Sequence, residues 1–190
     1  RLVDTITAAH NRLGAVKRSL TYADQARGKE YSIQDGELPF LMHRERGLHL
    51  DEPDVTIDAK PGPAAILGTA LTIFHAGRAQ IERGQGLYFY LPKMELVDEA
   101  TLYRDVFDES RSFLCLPSDA VLRAIPLIES LPAAYQMEEI LYALGPYAAG
   151  LNAARWDLKA SIFEYYLNDP AFVWPDRFGV DIKTTNFLAN

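Results

Sequence analysis

The chain has 190 residues, of which 48% are hydrophobic and 24% charged, so it can bury a core and is unlike a disordered protein. Its 19 basic and 26 acidic residues give a formal net charge of −7, which argues against nucleic acid as the main partner. The single cysteine, Cys115, excludes an internal disulfide and a cysteine-based zinc cluster, and no apolar run reaches the length of a membrane span. We therefore expect a cytoplasmic protein without membrane partners.

The first half of the chain predicts strands separated by helices. Residues 1–35 form an N-terminal segment, and residues 36–46 form an apolar run that ends in charge. After the Pro-Gly-Pro at 61–63, a helix is predicted to about Gly84 from apolar positions with a 3.6-residue period: Ile66, Ala70, Ile73, Phe74, Gly77 and Ile81. Residues 87–91 then predict a strand, and residues 98–107 predict a helix.

The second half of the chain continues this alternation. Apolar runs at 121–128 and 147–156 alternate with predicted helices at 135–144 and 160–167, and residues 180–182 are a last strand candidate. Strands that alternate with helices are typical of a parallel α/β architecture. Four or five strands can be counted. They are compatible with an open doubly wound sheet or with a (β/α)8 barrel, which typically needs about 250 residues.

Three of the apolar runs end in a residue that is costly to bury: Arg46, Glu129 and Asp157. Because parallel strands end at the same edge of a sheet, we expect these side chains to converge there. Two carboxylates can hold Mg²⁺, and a nearby arginine can stabilise a developing oxyanion. The alternative is a structural ion pair between Arg46 and one of the carboxylates. Lys93, just past another strand, is either a solvated cap or an anion contact.

Several blocks of the sequence resemble the malate synthase family, in the order found in that family. They are residues 44–50 (RERGLHL), 88–95 (YFYLPKME), 127–133 (LIESLPA) and 150–157 (GLNAARWD), with further matches at 136–141 (QMEEIL) and 174–177 (WPDR). The resemblance extends over roughly residues 20–190. A set of matched blocks in order is far more specific than any single motif.

The resemblance implies a (β/α)8 TIM barrel, of which this chain holds about the first five strands, with residues 36–190 as the N-terminal part of the catalytic domain. It also implies that acetyl-CoA condenses with glyoxylate to give malate and free CoA, as in the glyoxylate cycle. In that family Mg²⁺ is held by carboxylates that match Glu129 and Asp157, and the catalytic arginine matches Arg46. The backbone of Arg155 and Trp156 would contact the glyoxylate carboxylate.

Two features depart from the family pattern. Ala153 and Ala154 stand where the family has Cys-Gly, which leaves the exact 2-oxo acid open. The aspartate that serves as general base in the family lies beyond residue 190, so we expect this chain to be part of a longer enzyme and to be inactive alone. Two alternatives are a Mg²⁺-dependent lyase acting on malyl-CoA-like or citryl-like thioesters, and a truncated, non-catalytic paralogue that binds CoA thioesters.

Overall fold

The computed structural model describes residues 2–37 and 39–173. The helices are α1 (Leu2–Lys17), α2 (Ala64–Thr72), α3 (Arg78–Glu82), α4 (Val97–Phe113), α5 (Leu131–Ala134), α6 (Met137–Leu144) and α7 (Arg155–Tyr165). The strands are β1 (Thr21–Asp24), β2 (Lys29–Ser32), β3 (Met42–Arg44), β4 (Asp51–Ile57), β5 (Lys60–Pro63), β6 (Leu87–Leu91), β7 (Leu122–Ile128) and β8 (Asn152–Ala153). Within the described ranges, no helix has both the length and the apolar character needed to cross a lipid bilayer.

A four-stranded parallel sheet in the order β3-β6-β7-β8 organises the chain. Its register pairs His43 with Phe89, Phe89 with Ala124, and Ile128 with Ala153. Since all four strands run in the same direction, their carboxyl ends lie along one edge of the sheet, which we call the carboxyl edge. Antiparallel hairpins, β1–β2 and β4–β5, lie outside this sheet.

The core lies between the sheet and the helices that connect its strands. Side chains of β6 alternate between fully and partly buried, and Phe89 packs on Phe107 of α4 with ring centroids 5.4 Å apart. Burying one such side chain contributes about 1.5–3 kcal/mol, so the β6–α4 contact is a major source of stability. Helix α4 begins where Glu99 accepts the backbone N–H of Leu96 at 2.9 Å, and it extends to Phe113, beyond the predicted 98–107.

The helix predicted after Pro63, to about Gly84, forms, but a π-helical turn, Ile73–Gly77, separates α2 from α3. Buried positions therefore recur every four residues, as at Gly68, Thr72, Ala76 and Gln80. The predicted apolar face is correct for Ile73 and Gly77 only. The other four predicted positions are exposed or half-buried: Ile66, Ala70, Phe74 and Ile81.

Several predicted boundaries are also wrong. Among the described residues of the run at 36–46, only Met42–Arg44 form a strand, β3. The run at 147–156 is not one strand: its first residue ends the 3-10 turn Gly145–Tyr147, β8 covers two residues, and α7 begins at Arg155. The residues of the last strand candidate, 180–182, and of the 174–177 match lie outside the described residues.

Helix α1 is fastened to the sheet by the buried side chain of Glu45. One of its carboxylate oxygens accepts a hydrogen bond from Arg12 at 2.9 Å, and the other accepts one from Thr72 at 2.5 Å. Gly68 lies directly against this carboxylate. A buried carboxylate is stable only when it is paired, so these contacts tie α1, α2 and the segment after β3 together.

Gly68→Ala is expected to lower the free energy of unfolding by about 1–3 kcal/mol. A Cβ at position 68 would lie 2.5 Å from Oε2 of Glu45, a carboxylate that its two hydrogen bonds hold in place. Urea denaturation of the intact protein measures the change. Gly14→Ala in α1 is the control, because its nearest neighbour, a Leu20 Cβ, is 3.5 Å away and alanine favours the helix by about 1 kcal/mol. Equal destabilisation by both variants would contradict the steric argument.

Stability is also expected to fall as pH is lowered through about 6.5. His43 of β3 is buried, its Nε2 lies 2.9 Å from Oε1 of Gln80, and burial lowers the pKa of His43 below 6.5. Below pH 6.5 the unfolded chain therefore binds a proton that the folded chain does not, while above it this contribution to stability is complete. Urea denaturation between about pH 7.5 and 5.5 should show this component, at most about 1.4 kcal/mol per pH unit, in the wild type and not in His43→Gln. Identical pH slopes in both would refute it.

Candidate active site

The carboxyl edge gathers the charged residues that follow the strands. Arg46 comes two residues after β3, Lys93 two residues after β6, and Glu129 directly after β7. Asp157 differs from its prediction: it lies in the first turn of α7 rather than at a strand end, because β8 stops at Ala153. The short distance from β8 to α7 still brings Asp157 to the same edge.

Lys93 joins the two carboxylates. Its ammonium nitrogen lies 3.0 Å from Oδ1 of Asp157 and 3.8 Å from Oε2 of Glu129. The backbone N–H of Lys93 also donates a hydrogen bond to Oε1 of Glu129. Lys93 makes this contact with a positive φ of 58°, a backbone conformation that is uncommon for a non-glycine residue. The sequence left open whether Lys93 is a solvated cap or an anion contact, and the structure shows the anion contact.

The two carboxylates have opposite environments. The side chain of Glu129 is 1% exposed, and burial raises its pKa. The side chain of Asp157 is 49% exposed, and its hydrogen bond with Lys93 lowers its pKa. The pair therefore combines a buried, hard-to-ionise carboxyl with an exposed one that stays charged.

The donor set suits a hard divalent cation. Glu129 Oε2 is buried and has no hydrogen-bond partner among the described residues, although a buried carboxylate oxygen normally has one. Within the same part of the chain, no three His, Cys, Asp or Glu side chains are grouped as a metal site. Two carboxylates are nevertheless a sufficient protein contribution for Mg²⁺, which keeps waters and substrate oxygens as its other ligands. The residues present thus fit Mg²⁺.

Arg46 is held by a different carboxylate from the two that the sequence suggested. Its Nη1 lies 2.9 Å from Oε2 of Glu52 in β4. Among the described residues, no ion pair joins Arg46 to Glu129 or Asp157. The expected alternative, an ion pair of Arg46 with one of those two residues, is therefore wrong. Nothing in the apolar pattern of the sequence singled out Glu52.

A second arginine, Arg44, was also missed. It is the last residue of β3, its guanidinium lies 5.8 Å from the ring centroid of Tyr90, and its charge contributes to lowering the pKa of Asp157. Its place beside Arg46, at the charged end of the apolar run at 36–46, was the available signal. Arg44 adds positive charge beside the exposed carboxylate.

The predicted substrate contacts Arg155 and Trp156 lie in the first turn of α7, where backbone N–H groups precede the helical hydrogen-bond ladder. The N–H of Ala154 is not available to a ligand, because it donates to the carbonyl of Ile128 at 2.9 Å. The Trp156 side chain is exposed. The role of the Arg155 and Trp156 backbone in binding stays a prediction.

Comparison with known proteins identifies relatives of this chain. It is 42% identical to malate synthase of Streptomyces clavuligerus over 166 residues, which cover 86% of this chain and 30% of that protein. It is 41% identical to malate synthase of Myxococcus xanthus over 163 residues, with the same coverage. It is 39% identical to malate synthase A of Escherichia coli over 166 residues, covering 87% of this chain and 31% of that protein. The chain thus spans less than a third of the length of these relatives.

The family described as malate synthase, TIM barrel domain, matches residues 40–190. The periodicity of the sequence was compatible with an open doubly wound sheet and with a (β/α)8 barrel. This match decides in favour of the barrel. The parallel β3-β6-β7-β8 sheet is the part of that barrel formed by the described residues. The chain belongs to the malate synthase family and forms part of its TIM-barrel domain.

Proposed function

We propose that the protein carrying this chain condenses acetyl-CoA with glyoxylate, in a Mg²⁺-dependent reaction that yields malate and free CoA. The observation that carries the proposal is the position of an arginine and two carboxylates after three strands of the parallel sheet, β3, β7 and β8, in a malate synthase barrel domain. Such an edge is where barrel enzymes assemble their active sites. The reaction would place the protein in the glyoxylate cycle, and the cytoplasmic location expected from the sequence stays a prediction.

Glu129 and Asp157 would hold the Mg²⁺. When bound, the ion would supply Lewis acidity toward the aldehyde and carboxylate oxygens of glyoxylate. The single positive charge of Lys93 lies between the two carboxylates and offsets part of their negative charge. The backbone of Arg155 and Trp156, at the start of α7, would orient the glyoxylate carboxylate.

Arg46 would stabilise the anion that forms on the other substrate. A general base removes a proton from the methyl group of acetyl-CoA, and the resulting enolate oxygen needs a positive partner. The guanidinium of Arg46 supplies that charge, after which the enolate carbon attacks the aldehyde carbon of glyoxylate. Water then cleaves the thioester and releases CoA. The family resemblance assigns the base to an aspartate beyond residue 190.

The relatives favour a synthase over the two alternatives. The proteins from Streptomyces clavuligerus, Myxococcus xanthus and Escherichia coli are named malate synthases, and the family model carries the same name. A lyase would run the carbon–carbon step without obligatory thioester hydrolysis, and a non-catalytic paralogue would release no CoA. Glyoxylate-dependent release of free thiol from acetyl-CoA identifies the synthase, formation of malyl-CoA without thiol release identifies the lyase, and the absence of both products identifies the non-catalytic paralogue. The Ala153-Ala154 pair makes other 2-oxo acids worth testing in the same assay.

Glu129→Gln and Asp157→Asn are each expected to weaken Mg²⁺ binding to the intact protein by more than about 10-fold. Each change removes one of the two charged oxygen ligands. Isothermal titration with MgCl₂ measures the affinity. Glu164→Gln is the control, because Glu164 is an exposed carboxylate that lines one cleft together with Glu129 and Asp157 and is not one of the two proposed ligands. Unchanged Mg²⁺ affinity in both site variants would contradict the assignment.

The 190-residue segment alone is expected to be inactive, whereas the full-length protein releases CoA from acetyl-CoA only when glyoxylate is present. A general base must lie within about 2.6–3.2 Å of the proton that it removes, directly or through one water. Glu129 and Asp157 are committed to the metal, and Glu95 beyond β6 is the one fallback. A thiol-release assay on both proteins, with circular dichroism to verify folding, tests this. Glyoxylate-dependent release by the segment would show that the base lies within it.

A further inference from the structure

One positive charge serves both carboxylates of the candidate metal site. The ammonium nitrogen of Lys93 lies 3.0 Å from Oδ1 of Asp157 and 3.8 Å from Oε2 of Glu129. The first distance is that of a charge-assisted hydrogen bond, whereas the second is too long for a hydrogen bond and is a contact of charges only. The ammonium therefore offsets one of the two negative charges and is bonded to one of the two side chains.

The two oxygens of Glu129 have different roles. Oε1 accepts a hydrogen bond from the backbone N–H of Lys93, and this bond fixes the carboxylate by main chain. Oε2 is buried and has no hydrogen-bond partner among the described residues, although it faces the Lys93 charge. A buried carboxylate oxygen normally accepts a hydrogen bond or binds a cation. Oε2 is thus the oxygen at which a cation can approach more closely than the ammonium does.

Mg²⁺ and the ammonium would need the same oxygens. Mg²⁺ binds carboxylate oxygens at about 2.0–2.1 Å, so an ion shared by Glu129 and Asp157 would lie on the groups that the ammonium now contacts. Two cations that close repel each other, and the repulsion is strong beside a Glu129 side chain that is only 1% exposed. The Lys93 side chain is 39% exposed and has a flexible stem, so the ammonium can withdraw into solvent.

We infer that the Lys93 ammonium and Mg²⁺ are alternative counter-ions of the Glu129–Asp157 pair, so that Lys93 sets the metal affinity of the site. The inference rests on the proposed function, in which these two carboxylates hold the Mg²⁺. The ammonium stabilises the pair until the ion binds and then leaves it. The backbone N–H of Lys93 stays on Oε1 of Glu129 throughout, so the carboxylate keeps its place while the charge beside it is exchanged.

A fixed structural role for Lys93 makes the opposite prediction. If the ammonium only held Glu129 and Asp157 in the geometry that Mg²⁺ needs, its removal would let two like charges repel each other and would weaken Mg²⁺ binding. If the ammonium competes with Mg²⁺, its removal strengthens binding, because no contact has to be broken first. The sign of the change in Mg²⁺ affinity therefore separates the two roles.

The experiment is isothermal titration of the full-length protein with MgCl₂ at about pH 8, where protons compete least with a metal for its ligands. Lys93→Met removes the charge and keeps a long, unbranched side chain. It is expected to bind Mg²⁺ at least about 10-fold more tightly than wild type. Lys93→Arg keeps the charge and should stay within about 3-fold of wild type. Unchanged or weaker binding by Lys93→Met would overturn the inference.

Lys159→Met is the control for a general effect of charge. It removes a lysine of α7 two residues after Asp157, whose ammonium lies 6.0 Å from the ring centroid of Trp156. Its Mg²⁺ affinity should change by less than about 2-fold, because a solvent-screened charge has a small effect. Tightening as large as that of Lys93→Met would show that net charge, rather than competition at the pair, sets the affinity, and would overturn the inference.

Thermal unfolding gives a second readout that needs no turnover. In EDTA, Lys93→Met should have a lower Tm than wild type, because the carboxylate pair has lost its counter-ion. The same concentration of MgCl₂ should then raise the Tm of Lys93→Met more than that of wild type, since a ligand stabilises the folded state in proportion to the logarithm of its affinity. An equal or smaller rise in the variant would contradict competition.

A crystal structure of the wild-type protein with Mg²⁺ tests the inference without any variant, and it decides if Lys93→Met does not fold. The Lys93 ammonium should then lie more than about 4 Å from both carboxylates. An ammonium still bonded to Asp157 beside the bound metal would overturn the inference. If neither wild type nor Lys93→Met binds Mg²⁺, the metal site of the proposed function is wrong and the inference falls with it. If wild type binds Mg²⁺ and the variant binds it no more tightly, the inference alone fails.

Discussion

Buried carboxylates need cationic partners, and this constraint holds the carboxyl edge together. Glu45, Glu52 and Glu129 are each nearly inaccessible to solvent, and each is paired with a cation from another segment of the chain. Because an unpaired buried charge costs several kcal/mol, each pair fixes the position of the segment that supplies the cation. The pairs thus connect α1 to the segment after β3, that segment to the β4–β5 hairpin, and the turn after β6 to the end of β7.

The same pairs divide the site into two parts with different properties. On one side, the Glu52 carboxylate, with 1% of its surface exposed, holds an arginine whose second nitrogen is buried and unpaired among the described residues. On the other side, Asp157 is half exposed and reachable from solvent. In the proposed function, a hydrated cation and a small oxo acid would enter from this open side. The arginine on the other side is held in a fixed orientation by its ion pair with Glu52.

The apolar pattern predicted the parallel sheet and the edge at which the charged residues gather. It did not predict which residues form ion pairs with them. Strands β6 and β7 are largely buried and consist mostly of apolar residues. Such apolar runs can be recognised in a sequence. The β4–β5 hairpin was missed because its strands are mostly exposed and polar, so no alternation marks them. The partner of Arg46 lies on that hairpin and could not be found from periodicity. The π-helical turn was equally hidden, since a 3.6-residue period assumes an uninterrupted helix.

The two parts of the site meet at Gly47, where the backbone brings them together without an ion pair. A Cβ at this position would lie 2.8 Å from the Cβ of Lys93 and 2.6 Å from Nδ1 of His49, closer than side chains can approach. Only glycine therefore lets the segment that follows Arg46 pass directly against the turn that carries Lys93. The ammonium of Lys93 in turn lies between Glu129 and Asp157. Arg46 and the pair Glu129 and Asp157 thus lie along the same edge in direct backbone contact, although each is held by a different ion-pair partner.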